Sequence, residues 1–206
     1  LLETGMTHAA GAERLTAPPR TDASKEVSIY AGYTLKEIDA MLQTRGLAGE
    51  GEFLRAAAAV AEERGLPFAE GWFLGGTYAL PREGDAALSL ALIMQDALND
   101  ALRPYLALLE EMELSLADIV IIASMIQRET NKVAQMPIIA GVIHNRLRSG
   151  MPLGIDATLR YGLGVWDRPL TEQELSSDHP YNTRRKPGMP PGGVGSTSPA
   201  ALDAAF

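Results

Sequence analysis

The stretch whose reading decides the fold is Ser115–Tyr161, SLADIVIIASMIQRETNKVAQMPIIAGVIHNRLRSGMPLGIDATLRY. It opens on a helix-start signal: Ser115 can cap, and Asp118 places an acid in the first turn. Leu116, Ile119, Val120, Ile122, Ala123 and Ile126 follow at mostly helical spacing. A helix that is apolar nearly all round is a core helix. It ends in the polar burst Gln127-Arg128-Glu129-Thr130, and Glu129 shares the face of Ile122 and Ile126. A carboxylate at the end of a buried face loses hydration, which raises its pKa toward what a general acid needs near neutrality.

A second helix is marked by Pro137 near its first position and Gly150 just past its end. Its predicted core face is Ile138, Ile139, Val142, Ile143 and Leu147, with Asn145 and Arg146 near its C-terminal end. The segment MPLGIDATLRY then reads as short and extended, and it carries Asp156, Thr158 and Tyr161. Pattern alone favours the plainer account, a buried helical hairpin with solvated charged ends.

Working outward, the 206 residues are 46% hydrophobic and 21% charged, which suits one globular domain with at most a small appendage. No apolar run approaches the ~18 residues of a membrane span. There is no signal peptide pattern, and Leu1 is not an initiator Met, so the reading expects a piece of a longer protein. With no cysteine, disulfides and thiolate metal sites are excluded, and His8, His144 and His179 lack metal-ligand spacing. The net charge of −8 argues against non-specific nucleic-acid binding. Arg184-Arg185-Lys186 is the one local basic cluster, and a solvated loop is the default for it.

Residues 1–26 have no period and are read as a linker or remnant, leaving 27–206 as one domain. Val27–Tyr30 is a strand candidate. Thr34 with Glu37 is a capping box for a helix ending at Gly46, and another helix runs from Glu52 to Arg64. Glu70, Trp72, Phe73 and Tyr78 group aromatics around a carboxylate, which suits either a sugar-stacking wall or core. Asp85 caps a long helix that stops before Pro104, and a shorter helix is predicted from Tyr105 to Met112. Thr171 with Glu174 caps a short helix, and the Pro-rich segments at Pro180 and Pro190 read as loops.

Three blocks now bear on function: ASMIQRET, then HNRLRSGMPLGIDATLRYGLG, then PYNTRRKPGMPPG. In residues, order and spacing they resemble the endolytic murein transglycosylases of the MltG (YceG-like) family. EGWFLGGTY, Glu70 to Tyr78, resembles that family's E-G-[FY]-x-[FW]-P-D-T-Y block. The resemblance covers roughly Val27 to Phe206. It implies a mixed, helix-rich α+β catalytic domain around a buried central helix, with at most a remnant of a small LysM-like region before it.

The resemblance further implies cleavage of the β-1,4 bond between N-acetylmuramic acid and N-acetylglucosamine, without a cofactor or metal. Glu129 aligns with the family's catalytic acid. Gln127, Asn145, Arg146, Asp156, Thr158, Tyr161, Tyr181, Asn182 and Glu70 become candidate substrate-binding residues. Asp156 is expected to pair with Arg146 or a backbone donor and to stay ionised, while Arg128 and Lys132 would pull the pKa of Glu129 down. Partners would be peptidoglycan strands and, beyond them, cell-wall synthases. The place would be the extracytoplasmic side of the cytoplasmic membrane, through an N-terminal anchor not in this chain.

The sequence departs from the family at Gln127, where an earlier Glu is usual, at Gly75-Gly76 in place of Pro-Asp, and at Ser196-Thr197-Ser198 in place of an Asn-Pro-Gly-like turn. A looser loop is expected at Gly75-Gly76, and the family's final strands are expected to be missing after Phe206. Two rival readings stand beside the transglycosylase: a glycan hydrolase with Asp156 as base, and a non-catalytic peptidoglycan-binding module.

Overall fold

The structure is a computed structural model and describes residues 25–206. Most of the predicted remnant therefore lies outside the described residues. Its last two residues, Lys25 and Glu26, open a strand instead of closing a linker.

The first strand, β1 (Lys25–Ile29), pairs antiparallel with β2 (Gly76–Leu80), in a register running from Lys25 opposite Leu80 to Ile29 opposite Gly76. β2 is absent from the sequence-based expectation. Its pattern is short: Tyr78 and Leu80 turn inward while Gly76, Thr77 and Ala79 are more exposed. Gly75, expected to loosen this loop, sits in a tight approach. A Cβ there would lie 2.7 Å from the Ala31 backbone, and its N–H donates to Thr197 O at 2.8 Å.

Helix α1 (Leu35–Thr44) carries the Thr34–Glu37 capping box, and α2 (Glu52–Glu63) packs against it. Both lay their apolar faces on one core through Ile38, Leu42, Phe53 and Val60. Helix α3 (Ala86–Leu102) is capped by Asp85, which accepts from Leu88 N at 2.9 Å, and it lies against α2 and β2. The helix predicted from Tyr105 shortens to α4 (Leu106–Leu109) behind a 3-10 turn at Arg103–Tyr105.

Helix α5 (Leu116–Glu129) is the centre. The Ser115–Asp118 capping box fixes its start, and Ile119 through Gln127 are all buried. Helices α6 (Met136–Arg148), α7 (Asp156–Leu163) and α9 (Pro199–Ala205) pack around it. Truncating Ile122, fully buried, to Ala would cost about 2–5 kcal/mol. A short helix α8 (Glu172–Leu175) forms on its own capping box.

Two expectations change here. Asp156–Leu163 is helical, not extended: Asp156 stands in the first turn, Arg160 in the last, and Gly164 closes the helix at φ +67°. Eight residues are too few for a period to show in sequence. On α6, Ile138 and Val142 are exposed. Only Met136, Ala140 and Ile143 are buried, because the helix has packed neighbours on one side.

Among the described residues no helix is long and apolar enough to cross a membrane, and no cluster of His, Cys, Asp or Glu could hold a metal ion.

Candidate active site

Burial of α5 to its last turn decides where the polar burst goes. Ile126 and Gln127 are still buried, so consecutive side chains leave the helix end in different directions. Gln127 is fixed: its amide nitrogen donates to Asn131 Oδ1 at 2.9 Å and its oxygen accepts from Ser198 Oγ at 2.6 Å. Two of the departures from the family pattern, Gln127 and Ser198, thus meet in one hydrogen bond.

Arg128 turns back over the turn between β1 and α1 and over α1 itself. Its guanidinium donates to Gly32 O, pairs with Glu37 Oε2 at 3.4 Å, and lies 3.6 Å from the centre of the Trp166 ring. It is therefore not a counter-ion for the next residue. Glu129 is exposed, and among the described residues its carboxylate has neither a hydrogen bond nor an ion pair. Desolvation at the crowded helix end raises its pKa, and the charge of Asp156 raises it further.

Asp156 opens α7 beside it, and Arg184 Nε donates to its Oδ1 at 2.5 Å. The partner is neither Arg146 nor a backbone N–H. Arg146 instead donates to Leu153 O and braces the turn that leads into α7. Arg184 leaves the basic cluster to make this pair, while Lys186 pairs with Asp178 at 2.9 Å.

A cavity of about 880 Å³ is walled by the start of α1, by Glu70, by the C-terminal half of α7 and by the loop around Tyr181. Glu70 is 8% exposed, and Leu35 N–H donates to both its oxygens at 3.2 Å. Burial pushes its pKa up to about 7, against the pull of the Leu35 N–H and of a hydrogen bond with Tyr161. Tyr161 and Tyr181 pair at 5.1 Å between ring centres, and both hydroxyls are pushed upward by burial. Pro191 and Trp166 add apolar wall. Glycine places the floor: a Cβ on Gly193 would lie 2.5 Å from Glu70 O, so only glycine lets this strap cross behind Glu70.

The structure thus brings Glu70, Tyr161 and Tyr181 together, and separately Glu129 with Asp156. Thr158 is fully buried and donates to Ile155 O, next to Thr183. Asn182 is fully buried as well and ties Leu175 O and Ser177 O to the turn. Both are scaffold behind the wall. Asn145 is exposed on α6 and accepts from Arg148 at 2.6 Å, outside the cavity. Trp72, Phe73 and Tyr78 resolve as core, with the Tyr78 hydroxyl donating to Leu74 O at 2.6 Å.

Sequence reasoning passed over Glu37, Trp166 and the pairing role of Arg184. Glu37 was explained by its capping box, and the partners of the other two lie 38 and 28 residues away.

Comparison with known proteins follows the same lines. The protein is 30% identical over 142 residues to the endolytic murein transglycosylase of Streptococcus pneumoniae serotype 2, a match spanning 66% of this chain and 26% of that one. It is 27% identical over 137 residues to the endolytic murein transglycosylase of Bacillus subtilis, spanning 66% and 38%. The chain thus spans about a quarter to two fifths of these curated relatives. Its structure superposes on the 2.6 Å crystal structure of a YceG-like protein from Listeria monocytogenes with a TM-score of 0.76 and 25% identity, over 87% of this chain and 65% of that one. The sequence model of the YceG-like family matches residues 1–206, and the chain belongs to that family.

Proposed function

We propose that this chain is the catalytic part of an endolytic murein transglycosylase, a lyase that cuts the β-1,4 bond between N-acetylmuramic acid and N-acetylglucosamine inside a peptidoglycan strand. Glu129 is both acid and base. Its carboxyl protonates the leaving glycosidic oxygen. It then takes the proton from the sugar's own C6 hydroxyl as that oxygen closes on C1, which leaves a 1,6-anhydro end. No water enters, and internal attack exploits high effective molarity.

The observation that carries this reading is the state of Glu129: exposed, unpartnered among the described residues, and held above the usual carboxylate range by desolvation and by Asp156. A proton donor needs that combination of access and affinity. Asp156 is held by Arg184 and orients; it is not the donor. The aromatic cavity takes the glycan, with Glu70, Tyr161 and Tyr181 meeting acetamido and hydroxyl groups. Arg146, Thr158 and Asn182 serve by holding those walls, Gln127 is fixed between Asn131 and Ser198 at the end of α5, and Asn145 lies at the periphery. Acting in the cell envelope, from an anchor N-terminal to this chain, the enzyme would end the elongation of nascent strands alongside cell-wall synthases.

The test is product analysis by mass spectrometry after incubation with purified glycan strands. Anhydro ends that disappear in Glu129→Gln are expected. Reducing ends would replace this reading with hydrolysis through Asp156, and binding without turnover would replace it with a non-catalytic module.

A further inference from the structure

A second hollow, of about 450 Å³, lies on the other side of Arg128. Tyr30, Tyr33, Gln127 and Asn131 line it, and Glu37 is common to it and the aromatic cavity. Between the two stand the Arg128–Glu37 ion pair and the Trp166 ring on which Arg128 lies.

The lining has the chemistry of a saccharide site. Tyr30 is 66% exposed, unusual for a large aromatic side chain, and it meets Tyr33 at 5.6 Å and 60° to form an angled corner. A pyranose offers an apolar C–H face to such a corner and a hydroxyl edge to amides. Gln127 is held still by Ser198 and Asn131, and Asn131 accepts from it, so the Asn131 amide N–H groups remain available. Among the described residues the Tyr30 and Tyr33 hydroxyls make no hydrogen bond.

Position supplies the occupant. Gln127 and Asn131 flank Glu129 in sequence at the end of α5, and Glu37 lines both this groove and the cavity proposed for the glycan. We propose that this groove is a second saccharide subsite, holding the same glycan strand beyond the Arg128–Glu37 pair. The inference rests on the glycan reading above. A cut inside a strand has sugars on both sides of the bond, and grip on the far side steadies the reacting one.

The test compares peptide-free tetrasaccharide and octasaccharide fragments of the GlcNAc–MurNAc polymer by calorimetric binding and by cleavage. Wild type should bind the octasaccharide more tightly. Tyr30→Ala should weaken octasaccharide binding roughly 3- to 10-fold, the scale of a lost aromatic contact, and leave the tetrasaccharide unchanged. Asn131→Ala should do the same to a smaller degree. Tyr30 is exposed, so the melting temperature should not move, and any drop would be checked against the tetrasaccharide affinity. Equal octasaccharide binding by wild type, Tyr30→Ala and Asn131→Ala overturns the subsite while leaving the enzyme reading intact. Failure of wild type to bind or cleave either fragment overturns both.

Discussion

Two carboxylates in this molecule are raised above their ordinary range, both chiefly by desolvation, in two different settings. Glu70 is sealed in a cavity wall, hydrogen-bonded by Leu35 N–H and Tyr161, and its shift is the cost of burial. Glu129 stands open at a helix end with no partner among the described residues, and its shift adds the like charge of Asp156 to partial desolvation. The comparison separates two uses of a perturbed group. Glu70 holds its proton at the expense of the fold, and the charges of Glu37 and Arg128 act on it only after burial and its hydrogen bonds. Glu129 is tunable, because Asp156 acts on it and Arg184 acts on Asp156.

The largest effect should come from breaking the open member of the pair. Glu129→Gln should reduce anhydro-end release by about 10²- to 10⁴-fold, the usual worth of general acid–base catalysis. Melting temperature and glycan affinity should hold. Near-full turnover in that variant would move the acid to Glu70.

The sealed member should show itself in stability. Glu70 titrates near 7 when folded and near 4.5 when unfolded. Between those values the unfolded chain has released its proton while the folded one keeps it, so stability falls as pH rises through this window. Glu70→Gln should remove the loss: about 3 kcal/mol at most above pH 7, and almost none below pH 4. Denaturant titrations at both ends of the window test it, and parallel curves for the two proteins would show that the burial cost is absent.

Opposite signs are expected at the next level. Arg184→Ala leaves the Asp156 charge uncompensated and should push the alkaline limb of kcat/KM upward in pH, because Glu129 keeps its proton longer. Asp156→Asn removes that charge and should move the limb downward, with the same anhydro product. The Arg184 pair is half-exposed, so stability should change by about 1 kcal/mol or less. Limbs moving together would mean that Glu129 does not feel Asp156. Asn145→Ala should do least, changing turnover by less than about twofold, since the side chain only accepts from Arg148 on the surface.

Much of the scaffold was legible. Ser115, Thr34, Thr171 and Asp85 announced helix starts through local caps, and the run from Ile119 to Ile126 announced the core. Elements that depend on a distant neighbour were not legible. β2 is a strand because β1 lies beside it, and Ile138 and Val142 are exposed because nothing described packs over that side of α6. The Gly75 loop looked loose because its reason, the Ala31 backbone, lies 44 residues earlier in the chain.

The same division runs through the site. By itself the sequence determined that a carboxylate would end a buried helix, that no cysteine or spaced histidines would contribute chemistry, and which family the blocks resemble. These are properties of composition and of spacing within one or two turns. Tertiary structure alone decided that Arg128 turns away from Glu129 onto Trp166, that Arg184 rather than Arg146 holds Asp156, and that Glu70 meets Tyr161 in a cavity wall. A side chain's partner is set by which surfaces the core brings within reach, and a charge or hydroxyl carries no local mark of the group it will meet dozens of residues away.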